Sequence, residues 1–490
     1  MLCFTFVLIC PFVKEDATGG VQAADGLPTY IDEYDVPTPN GGPLALTVDK
    51  NGMIWFTESN ASKIGKFDPV THTFSEYDVP GVGDMWGIAI DKNDMVWFTQ
   101  YAGRGDVNPR GSIMSGGKGR LGRLDPANLN VSFVDMPSVG SFPFRLVVDP
   151  DNKIWFTELL GNRTGFFDQK LGNLTEYKVS ETLSGPTDLA FDRDGALWFT
   201  ESFDHNIVRL DPQTKTLTEY SLEALVFSPA GISIDREGHV WVADHGGDWI
   251  AEFDPSTQSV TRYPTHRIHG DLTIPNGLLI DAKGRVWFCE HVGNAVGYLD
   301  PQTLAMVEFT IPTGPVSGAL WIALAPNGDI WFTEWVSNKL GVVHAGRQVP
   351  LTLQALEDQL RLESGTRTTI TLGIEAIGGT PVSGSFDYSW GTYSTSDVSI
   401  SFSPPSLSGE SSASVEAKLT VSDSARPGDY ILGLGINMGP VRVWTMLETQ
   451  VVARSLPPQP PLTTLIIPTI ILAGLGAFLV VRQIRRRPRR

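Results

Sequence analysis

One pentapeptide recurs seven times and limits what this chain can fold into. It reads Ile54-Trp-Phe-Thr-Glu58, Val96-Trp-Phe-Thr-Gln100, Ile154-Trp-Phe-Thr-Glu158, Leu197-Trp-Phe-Thr-Glu201, Val240-Trp-Val-Ala-Asp244, Val286-Trp-Phe-Cys-Glu290 and Ile330-Trp-Phe-Thr-Glu334. The tryptophans fall at 55, 97, 155, 198, 241, 287 and 331, spaced by 42, 58, 43, 43, 46 and 44 residues. Each unit reads as four short strands rich in β-branched and aromatic residues, bounded by Gly, Asn, Asp and Pro. Four strands per unit with a period near 43 predict an all-β, seven-bladed β-propeller. A single blade cannot bury its own faces, so the repeated Trp is expected between blades. The seventh unit lacks a fourth strand. Tyr30-Ile-Asp-Glu-Tyr-Asp-Val-Pro37 matches Phe74-Ser-Glu-Tyr-Asp-Val-Pro80 and is expected to complete it, closing the ring and removing an exposed edge.

The remaining segments have other textures. Residues 348–455 lose the repeat and gain Ser, Thr and Gly, and read as an immunoglobulin-like β-sandwich stalk. Residues 456–461 are a stiff Pro-rich linker. Leu462–Val481 is a charge-free stretch long enough for a single transmembrane helix, and the 482–490 tail holds six arginines. Positive residues stay cytoplasmic, so the ring, residues 24–347, is expected outside a single-pass cell-membrane anchor. Residues 1–23 read as a signal peptide. Subtracting the six tail arginines from the formal net charge of −18 leaves −24 for the rest, which argues against nucleic acid as a partner. Three cysteines in 490 residues exclude a disulfide scaffold, and Cys289 alone remains if the signal is cleaved.

The repeat resembles the streptogramin lyase (virginiamycin B lyase) family of seven-bladed propellers over about residues 27–347. The shared text is the Ile-Trp-Phe-Thr-Glu strand, Asn338-Lys-Leu-Gly341 and the Glu-Tyr-x-Val-Pro strand. The resemblance implies a metal-dependent elimination that opens a cyclic depsipeptide at its ester, with a His base and Mg²⁺ held by carboxylates. In that family the His stands 14 residues before the strand carboxylate. Here those positions hold Leu44, Trp86, Phe144, Thr187, Ala230, Asn276 and Leu320. The family's His is absent from all seven. Pro275-Asn276-Gly277 is similar to an element of calcium-binding lactonase propellers, in which an Asn oxygen joins carboxylates around Ca²⁺.

Antiparallel blades sort their loops by face. His205, His245 and His291 lie in loops between second and third strands, and His266 and His269 in the loop entering blade 6. All five are expected on one face, as are Arg104 and Arg110 of the Gly-rich insertion in blade 2. Two function classes follow. The first is a surface-anchored propeller that binds an extracellular peptide, glycan or small molecule on this face, with His205, His266, Arg104 and Arg110 as contacts. The second is a lyase or lactonase with Glu201, Asp244, Asn276 and Glu290 around Mg²⁺ or Ca²⁺, and His245, His291 or His269 as base.

Overall fold

A computed structural model of the chain describes residues 27–454, apart from 82–83, 102–118, 139, 223–224, 266–272, 358, 380 and 391–396. The structure is all-β: its helical content is one short 3-10 turn at Ile377–Gly379. Seven four-stranded antiparallel units follow one another along residues 31–343. In blade 1 the strands, lettered A to D, are Pro43–Val48, Ile54–Glu58, Lys63–Asp68 and Thr73–Asp78. Strand A of each blade packs against strand A of the next, and the last meets the first, so the units close into a ring. This is the β-propeller architecture expected from the repeat.

Closure works as anticipated. Ile31–Asp35 pairs antiparallel with Lys339–Val343, with Ile31 opposite Val343, and supplies the missing strand D of blade 7. His344 adds a clamp, with Nε2 at 2.8 Å from Asp32 and Nδ1 at 3.3 Å from Asp329.

The repeated residues have separate tasks. Each Trp packs on the following blade: Trp97 meets Phe167, Trp155 meets Phe191, and Trp331 meets Phe67. In six of the seven blades its indole Nε1 donates to an Asp six residues earlier, as Trp155 does to Asp149 at 2.9 Å. That Asp also caps the turn between strands A and B, where its other oxygen accepts from the amides of Asp151 and Lys153. Two residues beyond the Trp, on the same side of the strand, five blades carry a Thr that faces the next blade. Thr157 accepts from the Arg145 amide in its own strand A and donates to the Thr187 carbonyl of the next blade at 2.6 Å. Cys289 takes the Thr position in blade 6, fully buried, and burial pushes its thiol up to about 12.

Residues 351–452 form two further layers around one apolar core. One sheet orders Leu351–Ala355, Arg367–Ala376, Ser412–Val421 and Val398–Ser403. The other contains Val441–Val452, Gly428–Asn437, Val382–Trp390 and Ser406–Glu410, with Gln359–Glu363 added in parallel. The second sheet is continuous with the ring. Val441–Val452 pairs with Ala305–Thr310, strand D of blade 6, in register from Ala305 opposite Thr445 to Phe309 opposite Val441. Where a stalk implies a module carried apart from the propeller, the structure seats this one edge to edge on blade 6. Among the described residues no helix is long and apolar enough to cross a membrane, and Leu462–Val481 lies outside them, as do the signal, linker and tail segments.

The junction buries charge. Glu308 of blade 6 is fully buried, accepts from Trp444 Nε1 at 3.1 Å and faces Arg442 at 3.5 Å. Removing one partner of a buried pair strands the other, so Arg442→Met is expected to destabilise the full chain by about 3 kcal/mol, read from chemical denaturation.

Candidate functional site

The seven strand-A positions found by the 14-residue spacing come together. Leu44, Trp86, Phe144, Thr187, Ala230, Asn276 and Leu320 all line one bowl at the mouth of the ring's hollow. Leu159, Ser202, Phe203, Ser228, His245 and Trp321 complete it. The bowl has two arcs. Blades 1 to 3 and 7 contribute Leu44, Trp86, Phe144, Leu159, Leu320 and Trp321, all apolar or aromatic, whereas blades 4 to 6 contribute Thr187, Ser202, Ser228, His245 and Asn276 beside the apolar Phe203 and Ala230. The Trp86 indole N–H is buried with no hydrogen-bond partner among the described residues.

A floor lies beneath. Arg145, next to Phe144 in blade 3, pairs through Nε with Asp188 of blade 4 at 3.3 Å. Its guanidinium also stacks on Trp321 of blade 7, 3.8 Å from the ring centre. Blades 3 and 7 are not neighbours, so this side chain crosses the hollow. Burial pushes the Asp188 carboxyl above its ordinary value, and Arg145 pulls it back. The hollow above is about 70 Å³. On that measure it holds about five waters, so it takes one ring-sized or side-chain-sized group of a larger ligand.

His245 and His291 meet at this rim, Nε2 to Nδ1, at 3.4 Å. Burial lowers His245 to about 3 and His291 to about 4, and the His291 ring lowers His245 further. Both imidazoles are therefore neutral near pH 7, and the burial that disfavours their charged form makes each a weak base. His205 sits in the B–C turn of blade 4 but does not line the bowl. His266, His269, Arg104 and Arg110 lie outside the described residues.

The expected metal oxygens do not form a set. Asp244 is turned into its own loop, where its carboxylate accepts from the amides of Phe227, Ser228 and Gly246 at 2.9 to 3.1 Å. Glu201 accepts from Asn206 Nδ2 at 3.3 Å. Glu290 is fully buried beside Glu308 and Arg442. Asn276 does reach the bowl, but its amide donates to the Leu320 carbonyl at 2.7 Å. None of the three carboxylates lines the bowl.

Glu290, beside Glu308, belongs instead to a series of buried acid pairs. In blade 1 Glu58 lies beside Glu76 of strand D, and Glu76 is held ionised by Thr38 and Lys63. Burial, then Glu76, raises Glu58 to about 7. The same arrangement raises Glu158, beside Glu176, to about 8 and Glu334, beside Glu33, to about 9. In each of these three blades burial is the larger cause and the strand-D carboxyl the second.

Residues 113–357, half of the chain, match the Virginiamycin B lyase family. The chain belongs to that family. Within it, 33 residues are 54% identical to the virginiamycin B lyase of Bacillus licheniformis, a stretch covering 7% of this chain and 11% of that relative. The Staphylococcus aureus virginiamycin B lyase structure superposes with a TM-score of 0.55 at 24% identity, covering 64% of this chain and 98% of that one. A catalytically inactive variant of that lyase, solved with quinupristin, gives 0.55 at 23% over 64% and 98%. The likeness to these structures is one of fold.

Sequence reasoning located the family's seven strand-A positions while looking for a histidine there. The signal it passed over was the apolar residues occupying them, together with Arg145 and Asp188 one position on.

The acid pairs make a pH prediction. A carboxyl raised by folding binds a proton that the unfolded chain releases, so its contribution is fully present below about pH 4.5 and is lost as pH climbs through the folded value. Glu158→Gln and Glu334→Gln remove this loss. Each is expected to raise the melting temperature near pH 9 by about 2–4 °C, with little effect near pH 4.5. A lower melting temperature at pH 9 would contradict the assignment.

Proposed function

We propose that this chain is a binding propeller that takes an amphipathic extracellular ligand, a peptide, glycan or small molecule, in the bowl on its His-bearing face. The observation that carries this reading is the composition of the bowl. Trp86, Phe144 and Leu320 supply an apolar wall, and Thr187, Ser228, His245 and Asn276 supply an opposing arc of donors and acceptors. Such sites bury an apolar group and fix its orientation with a few polar contacts. Of the candidate carboxylates, Asp244 is held by the amides of its own loop, and neither Glu201 nor Glu290 lines the bowl. Nothing in the bowl therefore offers the oxygen-rich shell that Mg²⁺ or Ca²⁺ requires.

A second reading has its own support. Family membership and the place of His245 on the rim of the bowl favour a lyase or lactonase acting on an ester, with His245 as base, a weak one while it stays buried. It would need a metal ligand set supplied from outside the described residues or by the substrate.

The remaining expectations stand as part of the proposal. The ring is exported, residues 351–452 are an immunoglobulin-like module that presents it, and Leu462–Val481 holds the chain in a membrane with the arginine tail inside. The opposed charges of the two ends support this arrangement.

Screening the purified full chain against arrays of peptides and glycans, with quinupristin included, tests the reading. Ligands bearing an aromatic or apolar group are expected, with affinity falling at least about tenfold in both Trp86→Ala and His245→Ala. Ligands indifferent to both variants would remove the bowl from the assignment. Chelator-sensitive ring opening of quinupristin would transfer the chain to the lyase reading.

A further inference from the structure

The turn between strands A and B repeats its Asp in six blades, at Asp49, Asp91, Asp149, Asp192, Asp235 and Asp281. In each, this Asp receives the blade's Trp Nε1. Two neighbouring positions face it: the residue two before the Trp, and the residue opposite the Trp on strand C. Five of the six blades place a Lys or Arg at one of them: Lys66, Arg123, Lys153, Arg209 and Arg285. Arg209 lies 3.4 Å from Asp192, and Arg285 lies 2.7 Å from Asp281.

Blade 5 departs from this rule at both positions. His239 stands two before Trp241, and Glu252 stands opposite it. A site that elsewhere holds one acid and one cation here holds two acids and an imidazole. His239 Nδ1 lies 2.8 Å from Glu252 Oε1 and 3.5 Å from Asp235 Oδ2, and the three ligand atoms all fall within 4.8 Å of one another.

We infer that Asp235, His239 and Glu252 form a binding site for a divalent transition-metal cation of the zinc class, on the face opposite the bowl. Metal–ligand bonds of about 2.0–2.2 Å in a tetrahedron put neighbouring ligand atoms about 3.4 Å apart, close to the separations seen. Both carboxylates are already oriented from behind. Trp241 Nε1 donates to Asp235 Oδ2 at 2.9 Å, and the Tyr263 hydroxyl donates to Glu252 Oε2 at 3.0 Å, leaving Oε1 to the site. Such outer contacts fix the ligands of metal centres. The side chains of Asp235, His239 and Glu252 are 15, 34 and 20% exposed, so an ion can enter and water can take a fourth position. The cation would supply the positive charge that Arg209 and Arg285 bring to the corresponding Asp in blades 4 and 6. The rival occupant is a proton on His239, shared with Glu252.

Titrating the chelator-stripped full chain with Co²⁺ separates the two, because four-coordinate Co²⁺ gives an intense visible absorption. One equivalent is expected to bind and to be displaced by Zn²⁺. Affinity is expected to fall at least about tenfold in His239→Ala and in Glu252→Arg. The second variant restores the arrangement of blade 4 and should melt at or above the temperature of the metal-free wild type, which shows that loss of binding is not loss of fold. The His245→Ala, His291→Ala double variant should bind unchanged. Absence of saturable binding at millimolar Co²⁺ would overturn the site. Binding insensitive to both blade-5 variants, or abolished by the double variant, would also overturn it.

Discussion

The seam between blades is the interaction on which the rest of the structure depends. A four-stranded antiparallel sheet has two faces, and in a ring each face is covered by a neighbour. Here the covering is done by one Trp per blade, laid on the following sheet, and in six of the seven blades an Asp six residues earlier accepts from its indole N–H. A second tie runs nearer the hollow. Thr99 donates to the Phe144 carbonyl, Thr200 to that of Ala230 and Thr333 to that of Leu44, so strand B of one blade holds strand A of the next. Blades 5 and 6 lack this Thr, having Ala243 and Cys289. Their strands A approach closely: at Gly231 a Cβ would stand only 2.2 Å from the Asn276 carbonyl oxygen. Only glycine tolerates that contact, which recurs at Gly87 of blade 2, 2.6 Å from the Phe144 carbonyl oxygen, beside the Thr99 bond.

The ring, its count and its closure were legible in the sequence because they rest on period and spacing, which a repeat states openly. The direction of the strand-end carboxylates was not, although strand parity explains it. Successive side chains on a strand point to opposite faces. Thr57 faces the next blade, so Glu58 must face the other way, with Phe56, over Gly65 and towards Glu76. A carboxylate placed by motif alone carries no such parity. The resemblance to a metal-dependent family therefore put Glu201 and Glu290 at a channel that their own blades turn them away from. Arg145 was equally unreadable, because its partners come from blades 4 and 7 and are brought to it only by closure.

The second module matters to the bowl through where it is not. It extends blade 6 from strand D, the outer edge, while the bowl is built from strand A, the inner edge. A sheet grows only from its free edge, so pairing Val441–Val452 with Ala305–Thr310 adds mass at the periphery. It also covers a strand that would otherwise offer unpaired backbone groups to another chain. Its contact with the loop region between blades 5 and 6 is local: Ser389 donates to the Thr265 carbonyl at 3.2 Å.

Charge counting also changes once burial is known. The formal count treats every Asp and Glu as ionised. Glu158 and Glu334, raised to about 8 and about 9, hold their protons at neutral pH, and Glu58, at about 7, is divided between its two forms. The ring's acidity at pH 7 is thus lower than its sequence implies, and what remains belongs to the strand-D partners and the surface turns. Five of those turns have a Lys or Arg at a neighbouring position, paired with the repeated Asp in blades 4 and 6. Blade 5, with His239 and Glu252, leaves the one turn of the six in which two carboxylates meet without a permanent cation.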